Sequence, residues 1–373
     1  MLERTDVVVV GGGIVGTAAA YQLADRGIQT VLVDEDRAGS ATAAGAGIIS
    51  PPTSSRREND DWFAFAELAA AHYPALISSL EAAGIDDHGY KRGDMLSIAR
   101  TPAEAETIET DLARAQRRGA SVEEISPAEA EAAFPALSGV ERALRFPDAG
   151  RVDGAMLTAA LDRAARAAGL TTVDGRVEAI HTDEGAVSGV VVDGDRLEAD
   201  RVVVAGGAWS GGFGDDLGCS LPVSPIRGQI VHLDGSDIFE TPGDLPIVGS
   251  VADNYIVPWA DGRIVVGATR EHDAGFDPRI TAGGVQTVLD SGLRLAPGLA
   301  EATFEEVRVG LRPGSPDGLP ILGEIPGVDG AYVATGHGPT GLTLGPYSGA
   351  VVAQSIAGEE PTADLSAFDP ARF

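Results

Sequence analysis

The run "TDVVVVGGGIVGTAAAYQLADRGIQTVLVDED", Thr5 to Asp36, decides how the rest of the chain is read. Val7 to Val10 are an unbroken apolar run, the pattern of a parallel strand buried on both faces. Gly11, Gly13 and Gly16 follow in G-x-G-x-x-G spacing, and a small-residue helix face begins at Ala18 to Leu23. Gly27 ends that helix, and Thr30 to Val33 form a second strand. Each glycine has its own task. Gly11 permits the tight turn, Gly13 lets backbone approach a pyrophosphate, and Gly16 lets helix pack on strand. Ile14 and Val15 open the helix, where free N–H groups and the positive dipole end face the phosphates. A bare glycine trio can serve packing alone, but here strand, helix and acid complete the context. Asp34 closes the second strand 23 residues after Gly11, where a carboxylate accepts both hydroxyls of a ribose.

An acid at this place suits NAD or FAD and disfavours NADP. The pattern continues as G-x-G-x-x-G-x-x-x-A-x-x-L-x-x-x-G through Ala20, Leu23 and Gly27, the spacing of the flavin-binding form. "VVVAGGAWS", Val202 to Ser210, adds a second strand that ends in a glycine pair, although such a pair also occurs as a plain turn.

Composition bounds the alternatives. The 373 residues, 44% hydrophobic and 22% charged, suit a globular chain of two domains or one domain with a large insertion. One cysteine, Cys219, excludes an intramolecular disulfide and any multi-thiolate metal site. The six histidines lack H-E-x-x-H or similar spacing, so no metal is expected. The net charge of −29, with Lys91 as the only lysine, argues against nucleic acid and anionic membrane surfaces. So acidic a chain suits a salt-rich cytoplasm; a GC-rich genome, which favours Arg over Lys, is the alternative. No run reaches the about 18 apolar residues of a membrane span, and "MLERTDVVVV" has acids where a signal peptide needs bases. The expectation is a soluble, cytoplasmic protein, peripheral at the membrane if it is linked to a quinone.

Helices are predicted at Trp62–Ala83, Pro102–Arg118, Pro127–Ala133, Gly154–Ala168, Gly283–Leu295 and Thr343–Ile356. Gly175 to Val204 reads as a small meander and a buried strand, and Ile226 to Ala268 as longer strands of a separate sheet. The fold class is therefore α/β: a Rossmann-like dinucleotide domain interleaved with an antiparallel-sheet α+β domain. The expected borders assign 1–85, 146–223 and 309–373 to the cofactor domain, and 86–145 and 224–308 to the substrate domain.

One arginine stands out. "VGLRPGSPDGLPILG", Val309 to Gly323, frames Arg312 in an apolar, Gly/Pro-rich run whose nearest charges are Arg308 and Asp317. A guanidinium there awaits either a two-oxygen anion or a surface acid. The chain resembles the D-amino acid oxidase superfamily of FAD enzymes, most of all glycine oxidases and D-amino acid dehydrogenases. The resemblance covers nearly the whole chain. Beyond the first fifty residues it rests on "RGQIVHL", "NYIVPWADGRIVVGATRE", "GLRPGSPDGLPILG" and "ATGHGPTGLTLGPYSG".

The resemblance implies that Arg312 clamps a substrate carboxylate, that Tyr255 of "YIVP" hydrogen-bonds it, and that FAD is the cofactor. It adds Glu35, Ser40, Ala41, Gly45, Gly47, Val177, Ala205, Gly206 and Trp209 to the cofactor contacts, with Arg312 itself. It also adds Gly338, Pro339, Thr340, Gly341, Leu342 and Thr343, the turn whose helix N-terminus would steady negative charge on the reduced flavin's N1–C2=O edge. His337 in that turn has an equally simple structural reading. Glycine oxidases resemble "GHFRNG" where this chain has "GHGPTG", so a second arginine near the substrate is missing and the dehydrogenase branch is favoured. No cysteine lies near Arg312, which implies non-covalent FAD.

The implied activity is oxidative deamination of a small amino acid, most readily a D-amino acid, by hydride transfer to flavin N5, giving a 2-oxo acid and ammonia. The electron acceptor is oxygen, a quinone or another protein. The alternatives are a glycine/sarcosine-type oxidase, a flavoprotein subunit of a proline or opine dehydrogenase complex, a non-catalytic flavin protein, and an NAD-dependent dehydrogenase.

Overall fold

The structure is a computed structural model that describes residues 3–251 and 254–373. Two eight-stranded sheets and a three-stranded junction organise it. The centre of the first sheet is parallel, in the order Ala331–Thr335, Asp195–Val204, Arg4–Val10, Thr30–Asp34 and Thr171–Asp174. Val7, Val8 and Val9 are fully buried there, as the unbroken valine run requires. Val177–Asp183 and Ala186–Val192 extend one edge as an antiparallel meander, and Ile321–Glu324 pairs antiparallel with Ala331–Thr335.

Helices Ile14–Asp25, Asp60–Ala82, Gly154–Ala167 and Gly341–Ile356 bury their apolar faces together on one side of this sheet. The last of these begins two residues before its predicted start, because the turn Gly338–Thr340 leads directly into it. Pro346 lies inside it and leaves the Leu342 carbonyl without its helical N–H partner. The Tyr73 hydroxyl donates to that carbonyl, which satisfies it and ties the helix to its neighbour. None of the described helices is long and apolar enough to cross a membrane.

The second sheet runs Thr303–Gly314, Ser224–Asp234, Arg263–Gly267, Tyr255–Pro258, Ile247–Ser250, Met95–Ala99, Arg142–Phe146 and Glu123–Ile125. Its neighbours are antiparallel except Ile247–Ser250 with Met95–Ala99. Helix Ala282–Leu295 packs on one face, and helix Pro102–Arg117 and the segment of Ala46 and Ile48 pack on the other. Two of the expected borders fall within strands. The one between 308 and 309 falls inside the continuous strand Thr303–Gly314, which pairs along its length with Ser224–Asp234. The one between 145 and 146 cuts the last residue from Arg142–Phe146. Strand pairing, not composition, fixes both places.

Candidate active site

The glycine turn is built as its spacing requires. Gly11 has φ +106°, and a Cβ there would lie 2.5 Å from the Ala205 carbonyl oxygen. A Cβ at Gly16 would lie 2.0 Å from the Gly11 oxygen, so Gly16 serves packing and does not line the cleft. Gly13 caps helix Ile14–Asp25 with no side-chain cap, and the first turn carries no acid. The Ile14 N–H donates to Thr42 Oγ1 at 3.1 Å, which steadies the loop over the turn. The Asp34 carboxylate lies against Gly12, with Oδ2 2.9 Å from where a Cβ would stand.

A cleft of about 2170 Å³, including its open mouth, runs from this turn to the second sheet. Ile14, Val15, Asp34 and Glu35 line its outer arm, with Ser40, Ala41, Gly45 and Gly47 from the following loop. Val177, Ala205, Gly206 and Trp209 close that arm. The Glu35 carboxylate accepts from Arg37, whose guanidinium sits 5.4 Å from the centre of the Trp209 ring. Gly338, Pro339, Thr340, Gly341, Leu342 and Thr343 line the inner arm. There the helix Gly341–Ile356 also starts without a side-chain cap or a first-turn acid. Two bare helix N-termini, an acid after the second strand and a long cleft fit an anionic dinucleotide with a flavin. Among the described residues, no group of His, Cys, Asp and Glu could hold a metal ion.

Arg312 and Tyr255 meet on one face of the second sheet. Arg312 is opposite Ile226, two residues from Gly228, and Tyr255 is opposite Gly267, which is opposite Ile230. Residues directly opposite or two apart share a face, so both side chains point the same way. Both lie over glycines. A Cβ on Gly228 would be 2.2 Å from Arg312 Nη1, and one on Gly267 would be 2.3 Å from the Tyr255 hydroxyl oxygen. The Arg312 guanidinium is anchored by donating from Nη1 to the Thr269 carbonyl at 2.9 Å. Its sequence neighbours are engaged elsewhere: Asp317 binds Arg372 at 2.8 Å and Arg308 binds Glu306 at 2.7 Å.

His337 is buried and its Nε2 is 2.9 Å from Ser348 Oγ, which ties the turn to the last helix. Burial pushes its pKa down to about 3, so the ring is neutral at physiological pH. Its carbonyl accepts from the Thr340 N–H and hydroxyl, which holds the turn closed.

The family described as FAD dependent oxidoreductase (DAO) matches residues 6–355. The chain belongs to that family. It is 39% identical over 371 residues to the uncharacterized oxidoreductase YurR of Bacillus subtilis (strain 168), covering 98% of each chain. It is 33% identical to the glycine oxidase of Pseudomonas putida, again over 98% of each chain. The crystal structure of iminodiacetate oxidase from Chelativorans sp. BNC1 superposes with a TM-score of 0.92 at 36% identity, covering 98% of each chain. The chain is thus an FAD-dependent oxidoreductase acting on C–N bonds, with a Rossmann-like FAD domain and a substrate domain.

Besides Arg312, further arginines stand at or near the cleft. Arg270 lines the cleft from the segment after Arg263–Gly267, and Arg56 lies behind Gly338. The last-helix turn supplies no arginine, but other parts of the chain do. Arg270 follows the strand Arg263–Gly267 in "VGATRE", and nothing in that stretch alone shows that it reaches the cleft. Thr42, Gly228 and Gly267 also escaped notice. Each acts by fitting a neighbour, and a sequence does not show which neighbour that is.

Proposed function

We propose that the protein oxidises a small amino acid at the carbon between its amine and its carboxylate. The observation that carries this reading is the placing of Arg312 and Tyr255 on one sheet face, each over a glycine, at the inner end of the cleft. The planar guanidinium presents two N–H groups to a carboxylate and the phenol adds a third donor, which fixes the α-carbon in place. FAD, when bound, accepts the two electrons of the oxidation. Gly11, Gly13, Ile14 and Val15 would hold its pyrophosphate and Asp34 a ribose, while the turn Gly338–Gly341 would face the flavin.

The substrate loses a hydride from carbon and a proton from nitrogen, forming C=N. Water then adds and releases the 2-oxo acid and ammonia. His337 does not take the proton, because burial lowers its basicity and its Nε2 is engaged with Ser348. Water takes it, or the amine enters already neutral. A D-amino acid is the preferred substrate on the strength of the "GHGPTG" turn. A second reading, glycine or an N-substituted glycine, is favoured by the similarity to glycine oxidase and iminodiacetate oxidase. We place the protein in the cytoplasm, with oxygen, a quinone or another protein as electron acceptor.

Anaerobic mixing of the purified yellow protein with D- and L-alanine, glycine and sarcosine tests the reading. Bleaching of the flavin band by at least one of them is expected. No bleaching by any, in a protein that retains its flavin, contradicts it. A second polypeptide that co-purifies would instead point to a subunit of a proline or opine dehydrogenase.

A further inference from the structure

The carboxylate clamp belongs to a longer row on the same sheet face. Tyr255 is opposite Gly249 as well as Gly267, and Gly249 is opposite Ser97 on the next strand, Met95–Ala99. Met95, two residues from Ser97, shares its face and lines the cleft. It lies over Gly249: a Cβ on that glycine would be 2.7 Å from Met95 Cε. Six adjacent strands thus carry three large side chains, each laid over a glycine of the neighbouring strand. Arg312 covers Gly228, Tyr255 covers Gly267 and Met95 covers Gly249. Their tips follow one another as guanidinium, phenol and thioether methyl.

Methionine side chains are adaptable, but this one is held. Thr53 Oγ1 lies 3.2 Å from its Sδ and 3.0 Å from the Ser50 carbonyl oxygen, so the thioether is wedged between the sheet and the turn Pro51–Thr53. Beyond Tyr255 the row holds Gly249, Ser97 and Met95, none of them charged. The Tyr255 hydroxyl stands over Gly267 and the Met95 methyl over Gly249, two strand spacings or about 10 Å apart. A hydrogen bond of about 2.8 Å and about 2.4 Å from carboxylate oxygen to α-carbon fill the near half of that span. A van der Waals contact of about 3.5–4 Å fills most of the rest, which leaves room for one carbon–carbon bond.

We propose that Met95 sets the size of the substrate, and that the cleft takes an amino acid whose α-carbon carries one methyl-sized apolar group, as in alanine. This rests on the clamp reading above and narrows its substrate class. Glycine leaves the contact with the thioether unmade, and longer side chains run into it. The oxidation itself is unchanged.

Acetate, propionate, butyrate and valerate, which have no amine to oxidise, test it in the holoenzyme by ligand-observed NMR titration. Propionate carries one carbon beyond the α-position. A buried CH2 group strengthens binding roughly fourfold, so affinity should rise by about that factor from acetate to propionate and then level off or fall. Met95→Ala opens the wall and should move the optimum to butyrate or valerate. Gly249→Ala acts the other way: its new methyl group displaces Met95 Cε, and the gain from acetate to propionate should vanish. Flavin content identifies which variants fold. An optimum that stays at propionate in either folded variant overturns the proposal, as does affinity that climbs through valerate in the unaltered protein. Failure of the clamp itself looks different: no acid binds, or Arg312→Ala leaves every affinity unchanged.

Discussion

The guanidinium of Arg312 lies across the backbone of Gly228, with Cζ, Nη1 and Nη2 all within 2.2–2.3 Å of where a Cβ on that glycine would stand. No side chain can be added at 228 while Arg312 keeps its place. Gly228→Ala should therefore swing the arginine out of register with a carboxylate and weaken substrate capture roughly 10- to 100-fold, the loss of one or more charge-assisted hydrogen bonds. Flavin content should remain near that of the parent protein, since the glycine turn is remote. Substrate dependence of anaerobic bleaching, with flavin content measured on the same samples, checks both parts.

Flavin retention depends on the other end of the cleft. Gly11→Ala would combine a left-handed backbone with a contact of 2.5 Å to the Ala205 carbonyl, and strain of this kind costs at least about 1–3 kcal/mol. It should lower both thermal stability and bound FAD. In the parent protein, acid precipitation should release all the yellow colour. Cys219 is half-buried against the cluster beneath the meander and does not line the cleft. Colour retained in the pellet would show a covalent link.

Three histidines contribute to the response to acid. His72, His232 and His337 all have pKa values lowered mainly by burial, to about 4 for His232 and about 3 for His337. Above their ordinary value of 6.5, folded and unfolded states are alike neutral, and no penalty arises. Below it the unfolded chain takes up protons that the folded one refuses, so stability falls as pH drops from 6.5 toward 4. Each such group costs up to about 1.4 kcal/mol per pH unit. His337→Gln, which can still reach Ser348, should flatten the fall of melting temperature between pH 6.5 and 4.5. An unchanged slope would show that His337 is protonated in the folded state.

Much of the cofactor arm was legible because local geometry dictates residue type there. A strand, three glycines at fixed spacing, a helix and a terminal acid leave few alternatives, and the structure places them as read. The long helices were legible from periodicity, with ends shifted by a residue or two. The substrate arm was harder. Arg312 and Tyr255 came from resemblance, whereas Arg270, Gly228 and Gly267 depend on which strands lie side by side. That pairing joins Arg312, Gly228 and the hairpin of Tyr255 and Gly267 across four strands drawn from three separate stretches of the sequence. The border expected at 308/309 falls inside the strand Thr303–Gly314 for the same reason.

Charge predicts a salt effect. With 56 acids against 27 basic residues, carboxylate repulsion is strong in dilute buffer. Salt of about 1 M shortens the screening distance to about 3 Å, so melting temperature should rise from low to molar sodium chloride. A flat or falling trend would favour genome composition over a saline habitat as the source of the acidity.

The central claim is that Arg312 holds the substrate carboxylate, and a pair of variants measured for flavin content and anaerobic bleaching tests it most directly. Arg312→Lys keeps the charge but loses the two-pronged geometry, and should need roughly 10- to 100-fold more substrate for half-bleaching. Arg312→Ala should need still more, and both should retain FAD. Bleaching of Arg312→Ala with unchanged substrate dependence would contradict the account.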